Sequence, residues 1–260
     1  MNAVKKNNTN TSWGEVAGWY NKLLEEDSDS YQAKVIKPNL LRLLDVKKTD
    51  NVLDLGCGQG YFLREVAKIA AQVVGVDVAG ELVKFAQSKA KQNEKYFVMS
   101  AENLSGLKDV QFDIVFSVLA VQNIKSFQLA FLEVAKKLKP QGRFLLVLNH
   151  PNFRIPKQTV WVFDEKNNIQ YRRVDAYLSE TQNRIDMTPG EKNEKKKKYT
   201  WSFHRPLQVY FKAFHKAGFV VSKLEEWVSH KESDKGKRKM AEDKARKEIP
   251  MFMCIELKKI

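Results

Sequence analysis

The stretch Asn51-Val-Leu-Asp-Leu-Gly-Cys-Gly-Gln-Gly60 constrains this chain more than any other. A short apolar run (Val52, Leu53, Leu55) meets glycines at alternating positions, Gly56, Gly58 and Gly60. Phe62, Leu63, Val66, Ala67, Ile69 and Ala70 then follow at helical spacing. The pattern predicts a strand, a tight turn and an amphipathic helix in immediate succession. Glycine permits the backbone angles such a turn requires and lets a ligand lie against bare main chain. Free N–H groups at the start of the helix add partial positive charge beside that ligand. A second apolar run, Val73-Val-Gly-Val-Asp77, ends in an acid. An acid at that strand tip is placed to accept hydrogen bonds from ribose hydroxyls.

The same alternation continues along the chain. A helix is expected from about Glu81, carrying Leu82, Val83, Phe85 and Ala86, and a short strand at Tyr96-Phe-Val-Met99. Phe112-Asp-Ile-Val-Phe-Ser-Val118 is almost wholly apolar, as a strand inside a parallel sheet should be. A helix over Phe127 to Leu138 ends at Leu138-Lys-Pro-Gln-Gly142, and Arg143 to Leu148 is a fifth strand. Strands alternating with helices predict an α/β, doubly wound sheet, whose ligands sit at the carboxyl ends of the strands. Strands at Phe219 to Leu224 and Met251 to Leu257 would bring the sheet to seven. Between them and the core, Thr159–Phe163 and Ile169–Val174 read as a hairpin, 181–198 as a polar loop and Tyr199–Phe203 as another strand.

The spacing G-x-G-x-G, with Asp54 two residues ahead of Gly56, differs from the G-x-G-x-x-G of dinucleotide-binding folds. It resembles motif I of the class I S-adenosylmethionine (SAM) dependent methyltransferases, and the chain as a whole is similar to the methyltransferase type 11 group. Residues 50 to 150 carry the specific part of that resemblance. A turn like Leu138-Lys-Pro-Gln-Gly142 is common before the fifth strand of the family. His150-Pro-x-Phe153 and His204-Arg-Pro206 are similar to segments of one bacterial subgroup. The resemblance implies a Rossmann-like, seven-stranded, mostly parallel sheet with an N-terminal helical cap (1–49), a SAM-binding core (50–149), a β-rich insertion after strand five (150–204) and a C-terminal part completing the sheet (205–260). It implies SAM contacts from Asp54, Gly56, Cys57, Gly58, Gly60, Asp77, Val78, Ala101, Glu102 and Ser117. Tyr20 would close over the methionine end from the N-terminal cap, beside Trp19. Ser100 stands where the family carries an acid for the adenine amino group, which leaves that contact to backbone and neighbours.

Methyl transfer from a sulfonium asks the protein for alignment, exclusion of water and, where needed, a base. His150 and His204, two of four histidines, fall where the insertion should meet the sheet, and they are the candidate catalytic residues. Gln122, Asn123, Arg154 and Arg205 are candidates for substrate binding. Each has a plainer alternative in packing, capping or a structural ion pair. The N-terminal aromatics could be core rather than lid, and Glu102 could cap a helix.

The expected reaction is methylation of a small-molecule acceptor. A net charge of +14 keeps an RNA or protein acceptor open, docked on lysine-rich stretches at Glu191–Lys198 and Lys231–Glu248. A SAM-binding regulator without catalysis is the third reading. No N-P-P-[YF] tetrad follows strand four, which disfavours amino methylation of bases. Two cysteines, Cys57 and Cys254, suit neither a disulfide framework nor a zinc site, so no metal is expected. No apolar run approaches the ~18 residues of a membrane span, and the polar N-terminus lacks a signal-peptide core, so a cytoplasmic location is expected.

Overall fold

The computed structural model describes residues 13–14, 18, 27–188, 191–193, 195 and 197–260. Strands in chain order are β1 (Asn51–Leu55), β2 (Gln72–Asp77), β3 (Glu94–Val98), β4 (Phe112–Val118), β5 (Leu138–Asn149), β6 (Thr159–Asp164), β7 (Ile169–Val174), β8 (Thr181–Asp186), β9 (Tyr199–His204), β10 (Phe219–Trp227) and β11 (Phe252–Lys259). A π-helical turn at Gln32–Ile36 leads into helix α1 (Lys37–Leu44). It is followed by α2 (Tyr61–Val66), α3 (Gly80–Ser88), α4 (Phe127–Lys137), α5 (Leu207–Lys216) and α6 (Lys239–Glu248).

Seven strands form one sheet in the order β10-β11-β5-β4-β1-β2-β3. Only β11 runs against its neighbours, pairing antiparallel with both β5 and β10. Side chains alternate across the sheet, so each strand supplies two cores. On one face Leu53, Leu55, Phe144, Leu146 and Leu148 meet α4 and α5 through Phe127, Phe131 and Phe214. On the other, Val52, Ile114, Phe116, Leu145 and Val147 meet Leu40 and Leu44 of α1, Leu63 and Val66 of α2, and Val83 of α3. Burying each of these large side chains contributes roughly 1.5–3 kcal/mol before chain entropy is counted. The seven-stranded, doubly wound architecture expected from the alternation is the one observed.

Strand order reverses between β1 and β4, which places the switch point of the sheet at their carboxyl ends. Two distortions mark it. Leu119, just past β4, holds a left-handed φ of 54°, an uncommon backbone state for a residue with a side chain. Gly56, just past β1, has φ 80°.

Other elements differ from the sequence reading. Residues 181–198 are not simply a polar loop, since Thr181–Asp186 pairs antiparallel with β9. This ribbon stands outside the main sheet and only Asn183 of β8 is buried, so no apolar alternation announced it. The charged stretch after Lys231 contains α6, which buries only Ala241 and Ala245, one helical turn apart. Residues 32–44, assigned to a cap, lie in the sheet's own core through Val35, Ile36, Leu40 and Leu44. Trp13 packs on Ala79 and Leu82. Trp19 and Tyr20 fall outside the described residues. No helix among the described residues is long and apolar enough to cross a membrane.

Candidate active site

The glycine loop and the acid of β2 are locked together. Asp77 Oδ2 accepts the Gly58 N–H at 2.9 Å, and Oδ1 accepts the Ala79 N–H at 2.8 Å. Gly56 and Cys57 both donate their N–H to the Val76 carbonyl, which seats the loop on β2. Burial raises the Asp77 pKa, while bonds from the Ala79, Gly58 and Val78 backbone pull it down. Each carboxylate oxygen has two lone pairs, so acceptor capacity remains for a ligand's hydroxyls. Val78, beside it, is 46 % exposed, an apolar surface at the rim.

The three loop glycines serve different ends. A Cβ on Gly56 would lie 2.4 Å from the Ala120 Cβ, so this glycine lets the loops after β1 and β4 touch. A Cβ on Gly60 would lie within 2.9 Å of three atoms of the Tyr96 ring. Those two positions are closed by protein. Gly58 is half-buried, with φ 52°. Gly56→Ala should therefore destabilise the fold by about 2 kcal/mol, combining a left-handed backbone with overpacking. The check is the urea midpoint of the variant, and an unchanged midpoint would show that the two loops part at no cost.

Asp54 of β1 and Cys57 of the loop are buried, and burial pushes both pKa values well up. Gln59 is 1 % exposed, and neither its amide N nor its O has a partner among the described residues. A buried amide left unsatisfied inside a glycine loop is the kind of group a bound ligand completes. Ala101 is buried at the bend after β3.

Several other candidates have partners within the protein. Ser117 is fully buried and its hydroxyl donates to the Leu55 carbonyl at 2.7 Å, so it fastens β4 to β1 rather than facing a ligand. Gln122 Oε1 accepts the Asn149 N–H at 3.0 Å, tying the turn after β4 to the end of β5. Arg205 donates through Nη2 to the Ile124 and Lys125 carbonyls and lies between the Phe127 and Phe203 rings, clamping the same turn, while its buried Nη1 has no partner among the described residues. His150 has both ring nitrogens occupied: Nε2 meets Glu226 Oε1 at 2.6 Å, and Nδ1 accepts the Asn152 N–H at 3.2 Å. Glu102 Oε1 accepts the N–H of Ser126, the residue capping α4. Asn123 donates to the Leu119 carbonyl at 3.3 Å.

His204 is different. Its Nε2 lies 2.7 Å from the Tyr177 carbonyl oxygen, so Nε2 must carry the proton and Nδ1 holds the lone pair. Burial holds its pKa below the usual 6.5, against a smaller opposing effect of the Tyr177 bond. The strand it ends, β9, packs against the turn at Val121–Asn123, past the carboxyl end of β4. No sequence signal separates the two histidines, because both decisive partners are distant in the chain.

Burial lowers the pKa of His150 and His204 alike. An unfolded histidine takes its proton near 6.5, and the folded ones resist it. Their contribution to stability is therefore complete above 6.5 and is lost as pH falls below it, by at most ~1.4 kcal/mol per histidine per pH unit. Asp54 and Asp77, raised by burial, act in the opposite sense. The measurement is thus a difference. Between pH 7.5 and 5.5 the unfolding midpoint of His150→Gln should vary less steeply on the acid side than that of the parent protein. Parallel curves would show that His150 titrates normally in the fold.

Residues 53–146 match the family model described as a methyltransferase domain. The chain carries a class I methyltransferase domain. A protein of Listeria monocytogenes described as an S-adenosylmethionine-dependent methyltransferase superposes with a TM-score of 0.64 at 25 % identity, covering 82 % of this chain and 92 % of that one. The ubiquinone biosynthesis O-methyltransferase of Bartonella tribocorum is 36 % identical over 102 residues, 38 % of this chain and 41 % of that protein. The demethylmenaquinone methyltransferase of Tropheryma whipplei (strain Twist) is 28 % identical over 111 residues, 42 % of this chain and 46 % of that protein. The chain thus spans about half the length of the curated relatives it matches. The methyltransferase match lies on the glycine loop and β1 to β5, and it stops before the two hairpins.

Proposed function

We propose that the protein is a SAM-dependent methyltransferase acting on a small-molecule acceptor. The observation that carries this is the interlock of the Gly58 N–H with the Asp77 carboxylate at the switch point of the sheet. The donor and acceptor set there fits the group. Asp77 retains lone pairs for ribose hydroxyls, Val78 offers an apolar face, and the Gln59 amide lacks a partner among the described residues. SAM, when bound, supplies a methyl group that is already electrophilic through its sulfonium. The chain's own work is to hold the cofactor through Asp77 and the loop, to position the acceptor, and to take a proton where the acceptor loses one. His204 Nδ1 is the proposed proton acceptor, because its tautomer is set by Tyr177 and its burial keeps it neutral at pH 7. His150 supports the end of β5 instead.

The test is incubation with methyl-labelled SAM and an extract of the source cells, separated into small metabolites, RNA and protein. Label should enter the small-molecule fraction above an Asp77→Ala control. Label confined to RNA or protein would overturn the acceptor class, and label in no fraction would overturn the activity.

A further inference from the structure

A cavity of about 110 Å³ opens beyond the β5 terminus. Its walls come from five separate parts of the chain, Ser229 after β10 among them. Phe153 and Arg154 follow β5, Trp161 and Arg172 stand on the β6–β7 hairpin, and Arg246 lies on α6. Tyr31 approaches from the N-terminal side. Three guanidinium groups line it, and among the described residues no carboxylate does.

Those arginines are not spent alike. Arg172 donates to the Phe153 carbonyl and to Thr159 Oγ1, and its guanidinium carbon lies 5.1 Å from the centroid of the Trp161 ring. It is built into the wall. The guanidinium groups of Arg154 and Arg246 have no hydrogen-bond or ion-pair partner among the described residues. Burial, and then the charge of Arg154, hold the Arg172 pKa below its ordinary value, so these two cations sense one another. Like charges gathered in a cleft without a counter-ion raise its electrostatic potential and favour an anion there. Arginine's planar fork suits a carboxylate or a phosphate, and the rings of Phe153, Trp161 and Tyr31 offer flat apolar faces beside it.

The cavity is joined to the end of β5. The His150 N–H donates to the carbonyl of Met251, a cavity residue, and the His150 ring lies against Phe153 at 4.8 Å. The β5 terminus in turn neighbours β4, where the candidate active site lies.

We infer that this cavity binds the carboxylate or phosphate of a flat, ring-bearing organic anion, with Arg154, Arg172 and Arg246 as its recognition groups, and that such an anion is the acceptor. The anion site stands on the cavity itself, while its role as the acceptor site rests on the methyltransferase reading. Arg205, the other arginine of the sequence reading, does not line this cavity.

The probes are benzoate and phenyl phosphate, with neutral benzamide as the isostere, titrated calorimetrically into the full chain without SAM at constant ionic strength. Arg154→Gln and Arg246→Gln are the variants, because neither residue braces the fold through a hydrogen bond among the described residues. At least one anion should bind saturably, benzamide should bind at least tenfold more weakly, and each variant should weaken the anion about tenfold. Benzamide binding as well as the anions, or anion binding unchanged in both variants, would overturn the site. In the label-transfer assay the bound anion should compete with the acceptor, and binding without competition would overturn the acceptor assignment alone. The titration needs no turnover, so failure of the methyltransferase reading and failure of the anion site are separately visible.

Discussion

Asp77→Ala should raise the dissociation constant for SAM about 100-fold and leave the protein folded. Asp77 is half-buried at the rim, and its two oxygens accept N–H groups from Gly58 and Ala79. Removing it loses two bonds from the ligand's hydroxyls to a charged acceptor, each worth about 1.5–3 kcal/mol. It also frees the glycine loop, whose ordering must then be supplied on binding. A loss near 3 kcal/mol is about two decades of affinity. Asp77→Asn keeps one acceptor oxygen and should fall between, at roughly tenfold. Calorimetric titration with SAM is the measurement, read beside the unfolding midpoint of each variant. Unchanged affinity in Asp77→Ala would remove the cofactor assignment and the proposed function with it.

His204→Asn should lower kcat about 100-fold, the low end of what a positioned general base contributes. SAM affinity should hold, because His204 is bonded to Tyr177 and not to the glycine loop. The diagnostic readout is the pH profile. In the parent protein the acid limb of kcat/KM should lie below 6.5, because burial lowers the histidine pKa. That limb should vanish in the variant. In His150→Gln it should persist, because His150 spends both ring nitrogens on Glu226 and Asn152. If His150→Gln loses the limb and His204→Asn keeps it, the assignment of the base is reversed.

The amino-acid sequence by itself determined the core. The three-glycine loop, the acid ending β2 and the alternation of apolar strands with amphipathic helices are local patterns, set by backbone conformation and by which faces must be buried. They are legible because each repeats within a few residues. They led to a seven-stranded doubly wound sheet and to Asp77 and Gly58 at its switch point. The glycine argument was incomplete in one respect. Gly56 and Gly60 are required by Ala120 and Tyr96, residues far along the chain, rather than by a ligand. The β8 strand and α6 escaped notice because they bury almost nothing, and burial is what imprints periodicity on a sequence.

Only the tertiary structure decided what the polar side chains do. His150 and His204 look equivalent in sequence, yet Glu226 occupies one and the Tyr177 carbonyl fixes the free nitrogen of the other. Ser117 and Gln122 lie where ligand contacts were expected, but each bonds a backbone group of a neighbouring element, and Arg205 gives Nη2 to two carbonyls of the turn after β4. Arg154 joins Arg172 and Arg246 only because the hairpin and α6 fold against the end of β5. Hydrogen bonding is short-ranged and directional, and its partners here are separated by tens of residues, so no sequence spacing encodes it.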